Sequence, residues 1–229
     1  MSTKRGGSNL PPFYNNLSYK VGDNENTVSS NRHKFFSSLN IDEKNLAVPK
    51  QVHSPNVQII ETPGSYPETD ALITNKKNLF LSVSVADCYP VLIYDKVKQV
   101  IAAVHSGWRG TQKKILTYTL NKIIEQYNCI PNDLIIFIGP GISKNNFEVG
   151  EDVALLFDEK YRIKRNGKYF IDLREDLADQ LSFFHIPAVN IEFNPMCTFG
   201  EADYLHSYRR DKENSGRMLA VIGMKDENN

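Results

Sequence analysis

A mixed α/β fold, with mixed β-sheets flanked by helices in one domain spanning residues 1–229, is what this sequence predicts. Three observations predict it. Three apolar runs rich in β-branched residues crowd between residues 79 and 105, as strands of a sheet interior do. A stripe at helical spacing follows at once: Ile115, Leu116, Leu120, Ile123, Ile124 and Tyr127. Strands and helices then alternate irregularly, without the rhythm of repeated βαβ units, and no repeat or low-complexity linker divides the chain.

The elements follow in order. Residues 1–30, rich in Asn, Ser, Gly and Pro, form an N-terminal arm or loop. His33 lies beside Lys34 in a polar helical stretch and is expected at the surface. VQIIE (57–61) is a strand, and PGSYPETD is a loop punctuated by proline and glycine. LFLSVSVAD (79–87), PVLIYD (90–95) and QVIAAVH (99–105) are the three crowded strands. Thr111 is placed to cap the helix after them. LIIFIGPGI (134–142) is a buried strand ending in a Gly-Pro-Gly turn. Helical stretches around Val153–Phe157 and Leu177–Phe184, then short strands at 189–193 and 218–223, complete the chain.

Composition narrows the function. Lys plus Arg and Asp plus Glu each count 27, so the formal net charge is zero, which argues against a partner as acidic as nucleic acid. Apolar residues make up 41% and charged residues 24%, the balance of a soluble globular protein. No apolar run approaches the roughly 20 residues of a membrane helix, and the first residues lack the apolar core of a signal peptide. Cys88, Cys129 and Cys197 form no C-x-x-C pair, so they are expected as reduced thiols of a cytoplasmic protein.

Three residues carry candidate chemistry. His53 stands in QVHS, Cys88 ends the strand of VADCYP, and His105 ends that of AAVHSGWRGT. Two imidazoles and a thiolate suit zinc, and three protein ligands leave a fourth position for water or substrate. Asp87 is a candidate for orienting a ligating histidine. The spacings match no short zinc motif, and taken singly each residue is better explained as a small buried thiol or a satisfied histidine. A third reading makes Cys88 a nucleophile activated by His105 or His53.

QVHS (51–54), DALIT (70–74), ADCYPVLIYD (86–95), AAVHSGWRGT (102–111), IGPGI (138–142) and HSYRRDKENSGR (206–217) resemble, in order, the signatures of one family. It is the laccase-domain or YfiH-like family, formerly called multicopper polyphenol oxidases and now regarded as purine nucleoside phosphorylases. RGG (5–7), GD (22–23) and NR (31–32) extend the likeness to nearly the whole chain. The resemblance implies zinc on His53, Cys88 and His105, with copper a chemically reasonable substitute. It implies a single mixed α/β domain related to cysteine-type deamidating toxins of the CNF kind. It implies purine nucleosides and phosphate as partners: phosphorolysis of adenosine, inosine, guanosine or methylthioadenosine, with an adenosine deaminase side activity. Bacterial members are also linked to peptidoglycan editing. The resemblance fixes no oligomeric state. Here Ser54 and Ser106 replace a glycine and an alanine common in the family, and the turn between Asp211 and Gly216 is longer than usual.

Phosphorolysis needs an anion site. Arg109, beside the start of a helix at Gly110 and Thr111, is one candidate. Arg209 and Arg210 of SYRRD are the other; in an extended segment their side chains diverge, so one of the two would enter the site. Gln51 is a candidate contact to base or sugar. Trp108, the single tryptophan, is read as packing before site wall. His185 is explained by a helix end, Glu148 and Glu151 by a helix start, and Cys129 and Cys197 as structural thiols. His206 is left between core and site rim. With five histidines in all, the chain is far from the roughly ten that a blue-copper centre plus trinuclear cluster needs, which argues against a multicopper laccase. A cysteine hydrolase or peptidoglycan-editing factor using Cys88, and a non-enzymatic metal- or metabolite-binding regulator, stand as alternatives.

Overall fold

The computed structural model describes residues 1–226. After an irregular N-terminal stretch come α1 (Glu25–Ser38), β1 (Leu46–Pro49), β2 (Val57–Ile59), β3 (Gly64–Tyr66) and β4 (Ala71–Thr74). The centre holds β5 (Phe80–Val85), β6 (Tyr89–Asp95), β7 (Val100–Ser106), α2 (Trp108–Gln112), α3 (Ile115–Tyr127) and β8 (Leu134–Ile138). The remainder comprises β9 (Glu148–Val149), α4 (Glu151–Ala154), β10 (Arg162–Arg165), β11 (Lys168–Ile171), α5 (Leu173–Phe183), β12 (Ile191–Phe193), α6 (Tyr208–Asp211) and β13 (Met218–Gly223).

Three layers result. A six-stranded mixed sheet, ordered β12-β8-β6-β7-β4-β2, lies between helices and a four-stranded mixed sheet ordered β13-β5-β1-β3. Every residue of β7 is buried, as expected of a strand covered on both faces. Its alternation separates two cores. Ala102 and Val104 pack with Ile115, Leu120 and Leu177 of α3 and α5, whereas Ile101 and Ala103 meet Leu81, Val83 and Ala220 of the smaller sheet. A small antiparallel sheet, β10-β11-β9, shares no ladder with either, and its Ile171 packs into the core beneath the helices. No helix among the described residues is long and apolar enough to cross a membrane.

The mixed α/β class is as the sequence predicts, but several local readings are corrected. The three crowded strands do not share one sheet: β5 pairs with β1 and β13, and β6 and β7 pair with each other. The stretch read as an arm to residue 30 already turns helical at Glu25, because the Asn24 side chain accepts from the Asn26 and Thr27 amides. Thr111 does not cap α3. Its hydroxyl is buried against Ser106 Oγ and Gly107 O, closing a separate short helix, and α3 starts after Lys114 in left-handed conformation.

Candidate functional site

Period-two alternation on three adjacent strands assembles the candidate centre. Pro90 of β6 pairs with His105 of β7, and Ala71 of β4 pairs with Val104. Cys88 precedes β6 and Asp70 precedes β4, so Cys88, His105 and Asp70 share one face at one end of the sheet. His105 lies in the same alternation as Ile101 and Ala103, at the rim where the two larger sheets part. His53 arrives from the loop between β1 and β2, with a positive φ of 60°.

Asp70 holds that loop in place. Its carboxylate, fully buried, accepts from three successive amides: Val52 (3.1 Å), His53 (3.0 Å) and Ser54 (2.8 Å). It also takes the Ser54 hydroxyl at 2.8 Å and His105 Nδ1 at 2.8 Å. A carboxylate on Nδ1 fixes the imidazole so that Nε2 is the nitrogen left for another partner. Burial pushes the Asp70 pKa up, but the bonds from His105 and Ser54 outweigh it and bring it to about 2.

His53, Cys88 and His105 can each offer one ligand atom, and these atoms lie within 4.8 Å of one another. Cys88 Sγ stands 3.9 Å from His53 Nε2, and the two imidazole rings meet edge to face at 4.9 Å. Two ligands on a tetrahedral zinc, at its usual bond lengths to sulfur and nitrogen, lie about 3.6 Å apart, so the triad needs only a small contraction. The space between them depends on Gly107, where a Cβ would come within 2.8 Å of His53 Cδ2 and 2.9 Å of Cys88 Sγ. Burial raises the Cys88 thiol pKa, but His105 and His53 together draw it below its ordinary value. Burial lowers that of His105, yet Cys88 and Asp70 carry it above the usual histidine range. The cluster thus favours a thiolate on Cys88, and a metal on the same atoms would take the place of the proton on His105.

The triad opens into a cleft of about 900 Å³. Gln51, Trp108, Arg109 and Arg209 line it, as do Lys20 and Arg217, which the sequence did not single out. Arg109 lies over the Trp108 ring at 4.2 Å, so Trp108 serves both packing and wall. Gln51 reaches the cleft with its amide already engaged: Nε2 donates to Ser84 O and Oε1 accepts from Ser84 N, both at 2.8 Å. It ties the His53 loop to β5.

The SYRRD stretch is a helical turn, not an extended segment, and it separates the two arginines completely. Arg209 lines the cleft, with Nη1 donating to Glu148 O at 2.6 Å and its guanidinium over Phe147. Arg210 is absent from the cleft wall, which corrects its reading as a substrate contact. Its guanidinium donates to Thr198 O, Phe199 O and Leu205 O and pairs with Asp211, an internal brace with no fork left over. Asp87 likewise orients no histidine. It accepts from Thr198 Oγ1 (2.7 Å) and the Arg209 amide (2.6 Å), and so positions the Arg209 turn; Asp70 has the role expected of it. His206 is buried against Gly216, away from the cleft. Glu148 belongs to β9, and only Glu151 begins a helix. Cys197 accepts from the Ser143 amide, and Cys129 is buried.

Comparison with known proteins bears on this arrangement. The family described as multi-copper polyphenol oxidoreductase laccase matches residues 1–225. A Bacteroides thetaiotaomicron protein named purine nucleoside phosphorylase is 32% identical, over 97% of this chain and 89% of its own length. Purine nucleoside phosphorylase YfiH of Escherichia coli is also 32% identical, over 96% of this chain and 91% of its own. The crystal structure of Bacillus licheniformis hypothetical protein YfiH superposes with a TM-score of 0.91 at 30% identity, covering 97% of this chain and 91% of that one. YlmD from Geobacillus stearothermophilus gives 0.92 at 27% identity, covering 98% and 90%.

Proposed function

We propose, for a chain that belongs to the multi-copper polyphenol oxidoreductase laccase family, that it is a purine nucleoside phosphorylase with zinc on His53, Cys88 and His105. One observation carries the reading: a metal-competent triad and an anchored arginine fork line the same cleft. Arg209 has Nη1 pinned to Glu148 O, and its Nε and Nη2 edge has no hydrogen-bond partner among the described residues. That edge suits a phosphate oxygen pair. Bound zinc supplies a Lewis acid for the phosphate or the departing base.

The chain's own residues do the rest. Arg209, held from below by Asp87 and from the side by Glu148, receives inorganic phosphate. Trp108, with Arg109 stacked on it, offers a flat face to a purine. A phosphate oxygen bonds to C1′ as the C1′–N9 bond breaks; the bond's electron pair leaves with N9, which takes up a proton. Adenosine gives adenine and ribose 1-phosphate, and inosine, guanosine and methylthioadenosine react alike. An adenosine deaminase side activity, action in the cytoplasm and replacement of zinc by copper belong to the same proposal.

A second reading has its own support. Asp70, His105 and Cys88 stand in the order of a carboxylate–imidazole–thiol relay, with Asp70 on Nδ1 and the thiol pKa lowered. One experiment separates the two. Adenosine is incubated with and without phosphate, and the products are resolved. Release of adenine and ribose 1-phosphate, saturating with phosphate and lost on chelation, is the expected result. Free ribose formed at a rate indifferent to phosphate overturns phosphorolysis. Activity that survives chelation but is abolished by alkylating Cys88 establishes the relay instead.

A further inference from the structure

The cleft holds more fixed positive charge than one phosphate requires. Lys20, Arg109, Arg209, Lys212 and Arg217 all line it, and none forms an ion pair among the described residues. Three carboxylates, Asp87, Glu148 and Glu213, line it against those five cations, and Asp87 and Glu213 lie close enough to Arg217 to act on its charge. Glu148 pairs with Lys168 at 2.9 Å, Glu213 accepts from Tyr208 Oη, and Asp87 is taken by Thr198 and the Arg209 amide. In a chain of zero formal net charge, this is a local excess built into one surface.

Part of that excess forms a second anchored fork. Arg217 Nη1 donates to Ser215 O (2.7 Å) and Gly216 O (3.1 Å), and the guanidinium lies 5.4 Å from the Tyr208 ring. Nε and Nη2 have no partner among the described residues, the same arrangement as in Arg209. The N-terminal stretch is bonded alongside: Leu17 N donates to Arg217 O, and Arg217 N donates to Asn16 Oδ1. Three residues past Leu17, Lys20 reaches the same cleft. Two pinned forks on different segments imply two anions.

We propose that Arg217 and Lys20 form a second anion subsite, which receives the 5′-phosphate of a purine nucleoside monophosphate. The proposal rests on the phosphorylase reading, in which inorganic phosphate takes the Arg209 fork. Base and ribose are uncharged, so a second anion on the substrate belongs at the 5′ oxygen. With adenosine 5′-monophosphate (AMP), a phosphate oxygen bonds to C1′, the C1′–N9 bond breaks with its electron pair going to N9, and N9 is protonated. The products are adenine and ribose 1,5-bisphosphate.

The test titrates metal-loaded Arg209→Ala protein with AMP and with adenosine in buffer free of other oxyanions, so that a 5′-phosphate has only the second fork to bind. AMP is expected to bind at least tenfold more tightly, and Lys20→Ala is expected to shrink that preference about tenfold while Lys20→Arg preserves it. Lys20 is exposed on a loop, so these variants keep the fold, which thermal melting checks. AMP binding no better than adenosine, or a preference indifferent to Lys20→Ala, overturns the subsite. The wild-type protein supplied with phosphate gives a separate readout. If neither compound then releases adenine while AMP still binds by preference, the phosphorylase reading falls and the anion subsite stands.

Discussion

Two carboxylates organise the cleft from opposite sides, and they work over different ranges of sequence. Asp70 lies beneath the metal-ligand triad and gathers groups from nearby: the 52–54 amides and His105 across one strand pair. Asp87, adjacent to Cys88, faces the other way and holds Thr198 and the Arg209 amide, which come from the last quarter of the chain. The metal side is thus built on neighbouring strands of one sheet. The anion side is built on irregular turns brought in from far away and fixed by main-chain bonds. Substitutions on one side should leave the other largely intact, and that separation can be tested.

The largest effects belong to the metal side. Cys88→Ala and His105→Ala should each abolish stoichiometric zinc, seen by elemental analysis. They should lower phosphorolysis by about 10³-fold or more, because a Lewis acid contributes several kcal/mol to the barrier. Wild-type protein that carries no metal when purified without chelators sinks this half of the comparison. Gly107→Ala comes next. It changes no ligand, but its Cβ occupies the space between His53 and Cys88. Metal affinity should fall by about 10²-fold in chelator competition, with a circular dichroism spectrum like that of the wild type; unaltered affinity would show that the triad opens more freely than its packing implies.

Asp70→Asn sharpens the comparison. An amide can accept only part of what the carboxylate accepts, and it no longer offers a negative partner to His105 Nδ1. Metal affinity should drop roughly 10–100-fold, the usual cost of losing such a support, while the apparent phosphate constant changes little. A phosphate effect as large as the metal effect would mean that the two sides are coupled.

How much of this was legible in the sequence follows the same division. His53, Cys88 and His105 stand in short motifs at strand ends, so their residue types and positions were readable. Asp70 was readable in principle, since it lies one residue before a strand and opposite His105 in register. β4 leaves no period in DALIT, because its four residues are all buried and too few to alternate. The sandwich arrangement was hidden for a related reason. β1, β3 and β4 have three or four residues each; burial on both faces erases the alternation in β1 and β4, and β3 is largely exposed. Arg217 and Lys20 were invisible because their placement comes from bonds between the two ends of the chain.

On the anion side, Arg209→Ala should raise the apparent phosphate constant about 10–100-fold, matching the loss of a charge-assisted pair worth roughly 1.5–3 kcal/mol. Its effect on the nucleoside constant should be several-fold smaller, and zinc content should be unchanged. Equal effects on both substrates would place Arg209 at the nucleoside instead.

The smallest kinetic effect is expected one residue later, and it tests whether placement or mere proximity decides function. Arg210 carries the same charge on the same helical turn, but its guanidinium is closed by three main-chain carbonyls and Asp211. Lysine keeps the charge and loses the planar fork, so Arg210→Lys should strip several of these bonds. The cost is then stability. Losing one or two net hydrogen bonds at about 1 kcal/mol each lowers the melting temperature of a chain this size by roughly 2–8 °C. The phosphate constant should stay within about twofold of the wild type. A phosphate defect approaching that of Arg209→Ala, at unchanged melting temperature, would show that Arg210 also reaches the anion and that the turn presents both forks.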